Sequence, residues 1–146
     1  MIPEKWSYES IEAWYPKTLW NQSEFEIAIG GDHEDYDGRS NYASIGGCYY
    51  AVRLSVTEHL EKIKRQASVL VLREIHPGYI MPVGVWQTRE ATRNILKQKA
   101  LKMKSLNEVI EFVKEKMDIP LSVWIKNSWL LKNLLYQKKI SSFLSN

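Results

Sequence analysis

From Cys48 onward, apolar residues recur at Val52, Val56, Leu60 and Ile63, close to one stripe of a 3.6-residue helix. Glu58 precedes Lys62, and Glu61 precedes Arg65, by four positions, the favourable order on an exposed helical face. The period then changes. Val69 to Leu72 are all apolar, which predicts a strand over Ser68–Arg73 covered on both faces. Alternation along it sends Arg73 and Glu74 to opposite sides of the sheet. After a turn at Pro77-Gly78, Val83–Trp86 predicts a second short strand, and Thr88 opens a helix to about Lys99. Upstream, Phe25, Ile27 and Ile29 alternate with Glu24, Glu26 and Ala28, a strand ending at Gly30-Gly31. Downstream, Ser105 and Glu108 form a capping box ahead of Leu106, Val109, Ile110, Val113 and Met117 on one face. Pro120 then starts one last amphipathic helix through Trp124, Trp129, Leu131 and Leu135. The predicted fold is a mixed α/β (α+β) domain over residues 1–136. A small central sheet is covered by about four helices, and residues 137–146 form a flexible tail.

Composition agrees with a soluble globular chain of one domain: 146 residues, 45% apolar and 25% charged. No run approaches the roughly 18 apolar residues of a membrane span, and Glu4 and Trp6 do not suit a signal peptide. No membrane partner is expected. The single Cys48 cannot form an internal disulfide, and with only three scattered histidines a structural zinc site is not expected. His59 and His76 have no partner at ligand or dyad spacing and read as ordinary side chains. A reducing cytoplasm is the expected compartment. The net charge of +3 conceals an asymmetry. Residues 1–60 carry 4 Lys/Arg against 10 Asp/Glu, whereas residues 61–146 carry 16 against 7. A basic half of this kind binds DNA weakly and without sequence preference through counterion release, or simply forms a solvated helical surface.

Four groups of residues carry candidate chemistry. The N-terminal aromatics Trp6, Tyr8, Trp14, Tyr15 and Trp20 serve either as a base-stacking platform or, the more ordinary use, to pack the segment onto the core. Asp32, Glu34, Asp35 and Asp37, with His33 among them, offer oxygen ligands of the type Mg²⁺ takes in phosphoryl transfer. The spacing fails as a calcium loop, and a polar strand-to-helix connection accounts for it equally. Gly46-Gly47 before the long helix suits either close helix packing or an anion at the helix N-terminus. Arg39, Arg65, Arg73, Arg89 and Arg93 are candidate phosphate or DNA contacts, with internal ion pairs as the competing role.

The strings RSNYASIGGCYYAVRL, RQASVLVLREIHPGY and MPVGVWQTREATRN, in that order, resemble the C-terminal region of the archaeal Nre DNA repair proteins. The resemblance runs over roughly residues 6–96. Members of that family are longer, with an N-terminal half and a cysteine cluster similar to a zinc site, neither of which this sequence contains. The resemblance implies a role in DNA damage repair and assigns no catalytic residues.

Residues 137–144, QKKISSFL, fit the pattern Gln-x-x-aliphatic-x-x-aromatic-aromatic/aliphatic. This resembles the PIP-box by which repair and replication proteins bind the sliding clamp PCNA. One 3₁₀ turn after Gln137 would set Ile140, Phe143 and Leu144 on one side as a three-pronged plug. Leu144 stands where a second aromatic is common. Nre proteins carry a motif of this kind at their C-terminus. The expected function is therefore a repair factor recruited by PCNA, needing no cofactor. The alternative is a metal-dependent nucleic-acid-processing enzyme that holds Mg²⁺ in the Asp32–Asp37 loop.

Overall fold

The computed structural model describes residues 1–79 and 84–136. Three strands, β1 (Ser7–Trp14), β2 (Ala28–Glu34) and β3 (Ser68–Ile75), form a sheet of order β2-β1-β3. β1 pairs antiparallel with β2 and parallel with β3. Five helices follow or flank them: α1 (Gly47–Lys62), α2 (Gly84–Leu96), α3 (Leu106–Lys116), α4 (Leu121–Asn127) and α5 (Trp129–Tyr136). The mixed α/β class and the strand over residues 68–73 agree with the sequence reading, and β3 runs two residues further.

Helices cover both faces of the sheet. On one, Tyr8 and Val69 pack against Tyr49, Val52, Val56 and Leu60 of α1. On the other, Ile11 and Ala13 pack against Ile119, Trp124 of α4 and Leu131 of α5. The alternation of β1 therefore supplies both cores, and β1 is buried from Tyr8 through Ala13.

Several boundaries differ from expectation. The central strand β1 lies in the segment for which the sequence suggested aromatic packing or base stacking, and no strand. Trp6 and Tyr8 do pack there, stacked with centroids 5.8 Å apart. The strand expected at Phe25–Ile29 begins instead at Ala28 and runs through the two glycines, leaving Phe25 exposed. Pairing with β1 sets this register. A Cβ on Gly31 would stand 2.9 Å from the Ser10 carbonyl oxygen, so the close approach requires glycine. Residues Gly84 to Trp86 are the first turn of α2 rather than a strand, and the helix thus begins before Thr88 and ends at Leu96. A four-residue apolar run does not distinguish strand from buried helix. The single C-terminal helix is broken into α4 and α5 at Ser128, whose extended backbone and hydroxyl start the second one. Ser105 caps α3 as expected, its hydroxyl accepting from the Glu108 N–H, while Glu108 reaches back to the Lys104 N–H.

At the start of α1, Gly46 has φ +62°, a left-handed value that suits glycine. A Cβ on Gly47 would meet Val85 Cγ1 at 2.7 Å. Close α1–α2 packing thus accounts for this pair.

Candidate functional site

The carboxyl ends of the parallel strands β1 and β3 border a cavity of about 350 Å³, lined by residues 73–79 and Gln87. In sheets with parallel strands, ligand sites collect at such ends. Arg73 and Glu74 leave β3 on opposite faces, as alternation requires, and each organises a different group.

On the α1–α2 side, Arg73 Nη1 donates to Glu12 Oε1 at 2.7 Å, and the Glu12 side chain is 2% exposed. The same nitrogen lies 3.9 Å from Cys48 Sγ, which lies 3.8 Å from the Thr88 hydroxyl. The Arg73 guanidinium also sits over the Trp14 ring. Burial, with the Glu12 charge adding to it, pushes the Cys48 thiol up from its ordinary value. Cys48 is therefore a protonated thiol at neutral pH, not a poised nucleophile.

On the other side, the Glu74 carboxylate accepts the Asp118 N–H at 3.1 Å and the Ile119 N–H at 2.8 Å, fixing the start of the α3–α4 connection against the sheet. His76 Nε2 lies 3.4 Å from Glu74 Oε2 and 3.9 Å from Asp118 Oδ2, and its ring stacks on Tyr15 with centroids 4.5 Å apart. Sequence reasoning passed over His76 because Asp118 is remote in the chain. The available signal was Glu74-x-His76 at a strand end, a spacing that sets both on one face.

The remaining candidates disperse. Arg93 joins Glu58 of α1 to Glu90, replacing the expected Glu58–Lys62 pair. Glu61 pairs with Lys64 rather than Arg65. Arg89 lies 3.5 Å from Glu90, and Arg65 is exposed just past α1. Thus Arg73, Arg89 and Arg93 all take part in internal ion pairs. In the acidic stretch, Asp32 to Glu34 belong to β2, and their carboxylates turn to separate partners. Glu34, 4% exposed, binds the Trp6 indole N–H, the Tyr49 hydroxyl and Arg53. Asp35 accepts the Asp37 N–H. His33 stacks on Trp129.

Asp32 binds Arg39 through both oxygens and accepts the Ser44 N–H. Burial raises its carboxyl, but these hydrogen bonds and the Arg39 charge outweigh that and hold it down at about 2. The folded value lies below the ordinary 3.8, so the pair's contribution is complete above that value and fades as pH falls toward 2. Asp32→Asn should therefore lose stability less steeply than wild type between those values. Urea unfolding at a series of pH values checks this, and equal slopes would contradict it.

α1 and α2 run in the same direction: Cys48 lies beside Thr88, Ser55 donates to the Arg89 carbonyl, and Glu58 meets Arg93. Both C-termini therefore fall at one end, where Lys62, Lys64, Arg65 and Lys97 are all exposed. These exposed basic residues lie toward the end of the helices remote from Cys48 and Thr88, with Glu61 paired to Lys64 among them.

These features define a three-layer α/β domain with a cavity at the ends of its parallel strands. Residues 34–143 match the family described as "Archaeal Nre, C-terminal", and the chain belongs to the Nre family. It is 41% identical over 132 residues to DNA repair protein NreB of Archaeoglobus fulgidus, covering 90% of this chain and 34% of that protein. Against DNA repair protein NreA of the same organism it is 39% identical over 110 residues, 75% of this chain and 28% of the relative. NreA of Haloferax volcanii is 35% identical over 124 residues, 84% of this chain and 30% of the relative. The chain thus spans about a third of the length of these curated relatives. No solved structure matches it.

Proposed function

We propose that this chain acts in DNA repair as a factor recruited to DNA by the sliding clamp PCNA, through Gln137, Ile140, Phe143 and Leu144. The observation that carries this reading is the motif QKKISSFL, in a chain whose relatives are named DNA repair proteins. Residues 137–146 lie outside the described residues, so the support is the spacing of the anchors and the polar Lys138, Lys139, Ser141 and Ser142 between them. Titration of the chain against PCNA tests it. A reducing cytoplasm is the compartment that fits, and among the described residues no helix is long and apolar enough to cross a membrane.

The exposed Lys62, Lys64, Arg65 and Lys97, toward one end of α1 and α2, support a second contact, to the DNA on which the clamp travels. Binding through it is weak and without sequence preference, and falls steeply from low to physiological salt. In a fluorescence titration at several salt concentrations, the triple change Lys62→Ala, Lys64→Ala, Arg65→Ala should reduce both the affinity and the salt slope. An unchanged slope would contradict a DNA contact there. The reading as a Mg²⁺-dependent enzyme needs the carboxylates of Asp32, Glu34, Asp35 and Asp37 to converge on one ion. Asp32 is instead held by Arg39 and Ser44, and Glu34 by Trp6, Tyr49 and Arg53, which counts against that reading.

A further inference from the structure

We infer that Glu74, His76 and Asp118 form a binding site for a divalent transition-metal ion at the mouth of the cavity on β3. One ligand atom from each lies within 4.8 Å of the other two, and among the described residues this is the one such group of three. Two donors each ~2.1 Å from a tetrahedral ion stand ~3.4 Å apart, and His76 Nε2 and Glu74 Oε2 already stand 3.4 Å apart. The third ligand is the adjustable one. Asp118 Oδ2 is 3.9 Å from His76 Nε2 on a side chain 77% exposed, free to swing the remaining distance.

The other two ligands are held in place by the fold. Glu74, with its side chain 8% exposed, is fixed by the N–H groups of Asp118 and Ile119. Each carboxylate oxygen retains a second lone pair for a metal. The stack on Tyr15 sets the plane of the His76 ring, as a partner of a ligating imidazole commonly does. One imidazole nitrogen with two carboxylate oxygens suits Mn²⁺, Co²⁺ or Zn²⁺ better than the all-oxygen preference of Mg²⁺ or Ca²⁺. Three protein ligands leave coordination positions open. Tyr79 and Gln87 line the same cavity, polar groups that suit an oxygen ligand on the metal.

Glu74 also anchors the backbone of the α3–α4 connection, so the decisive variants are His76→Ala and Asp118→Ala, both at exposed side chains. Tag-free protein titrated with Co²⁺ should show 1:1 binding by calorimetry and a visible d–d absorption band. His76→Ala and Asp118→Ala should each weaken binding by roughly tenfold or more, while His59→Ala leaves it unchanged. Absence of a Co²⁺ band at millimolar metal would overturn the assignment. So would a band that survives His76→Ala, which would place the ion at other carboxylates.

Discussion

Glu9→Ala should destabilise the domain by about 3–5 kcal/mol, because it strands several buried donors at roughly 1–3 kcal/mol each. Glu9 is the third residue of the central strand, with 2% of its surface exposed. Its carboxylate accepts the Ser128 hydroxyl at 2.5 Å, the Trp129 N–H at 2.7 Å and the Leu130 N–H at 3.0 Å. Ser128 in turn accepts the Leu131 N–H, so two side chains satisfy the N-terminal donors of α5. Alanine leaves these donors buried without an acceptor and removes a negative charge from a helix N-terminus, where it is favourable. Glu9→Gln keeps the shape and part of the hydrogen bonding, and should cost less than alanine. Urea unfolding of the three proteins gives the comparison. An alanine variant with a wild-type midpoint would mean that α5 does not depend on β1.

The same residues explain what the sequence did and did not reveal. α1, α3 and β3 were readable because each carries its own periodic pattern or cap, and a local pattern suffices to place a local element. β1 was not, although it is the centre of the sheet. Neither of its faces is consistently apolar, since Glu9, Ser10 and Glu12 alternate with Tyr8, Ile11 and Ala13. Its burial rests on partners far along the chain: Arg73 for Glu12, and Ser128 to Leu130 for Glu9. No window of local sequence contains both halves of such a pair. The break at Ser128 was hidden for the same reason, because the glutamate that stabilises it is in β1. The arginines illustrate the converse. Their number and interleaving with glutamate pointed equally to phosphate contacts and to ion pairs, and only the packing of α2 on α1 brings Arg93 to Glu58. The cavity residues Glu74 and His76 were visible as a spacing, but Asp118 joins them only through the fold.

The second large effect falls on binding rather than folding. Phe143→Ala should weaken binding to PCNA by about 2–4 kcal/mol, the loss expected when an aromatic anchor is removed from its pocket. A short peptide that orders on its partner concentrates its affinity in a few buried side chains, so Ile140→Ala and Leu144→Ala should also weaken it, each by less. Lys138, Lys139, Ser141 and Ser142 lie between the anchors and should tolerate substitution. If the motif serves the proposed clamp contact rather than the core, the melting temperature of Phe143→Ala should stay close to wild type. Calorimetric titration of wild type and Phe143→Ala against PCNA, with a thermal melt of each, tests clamp recruitment most directly. The expected result is a saturable wild-type isotherm that is all but lost in Phe143→Ala at unchanged melting temperature. Clamp binding that is absent in wild type, or equal in the two proteins, would contradict it.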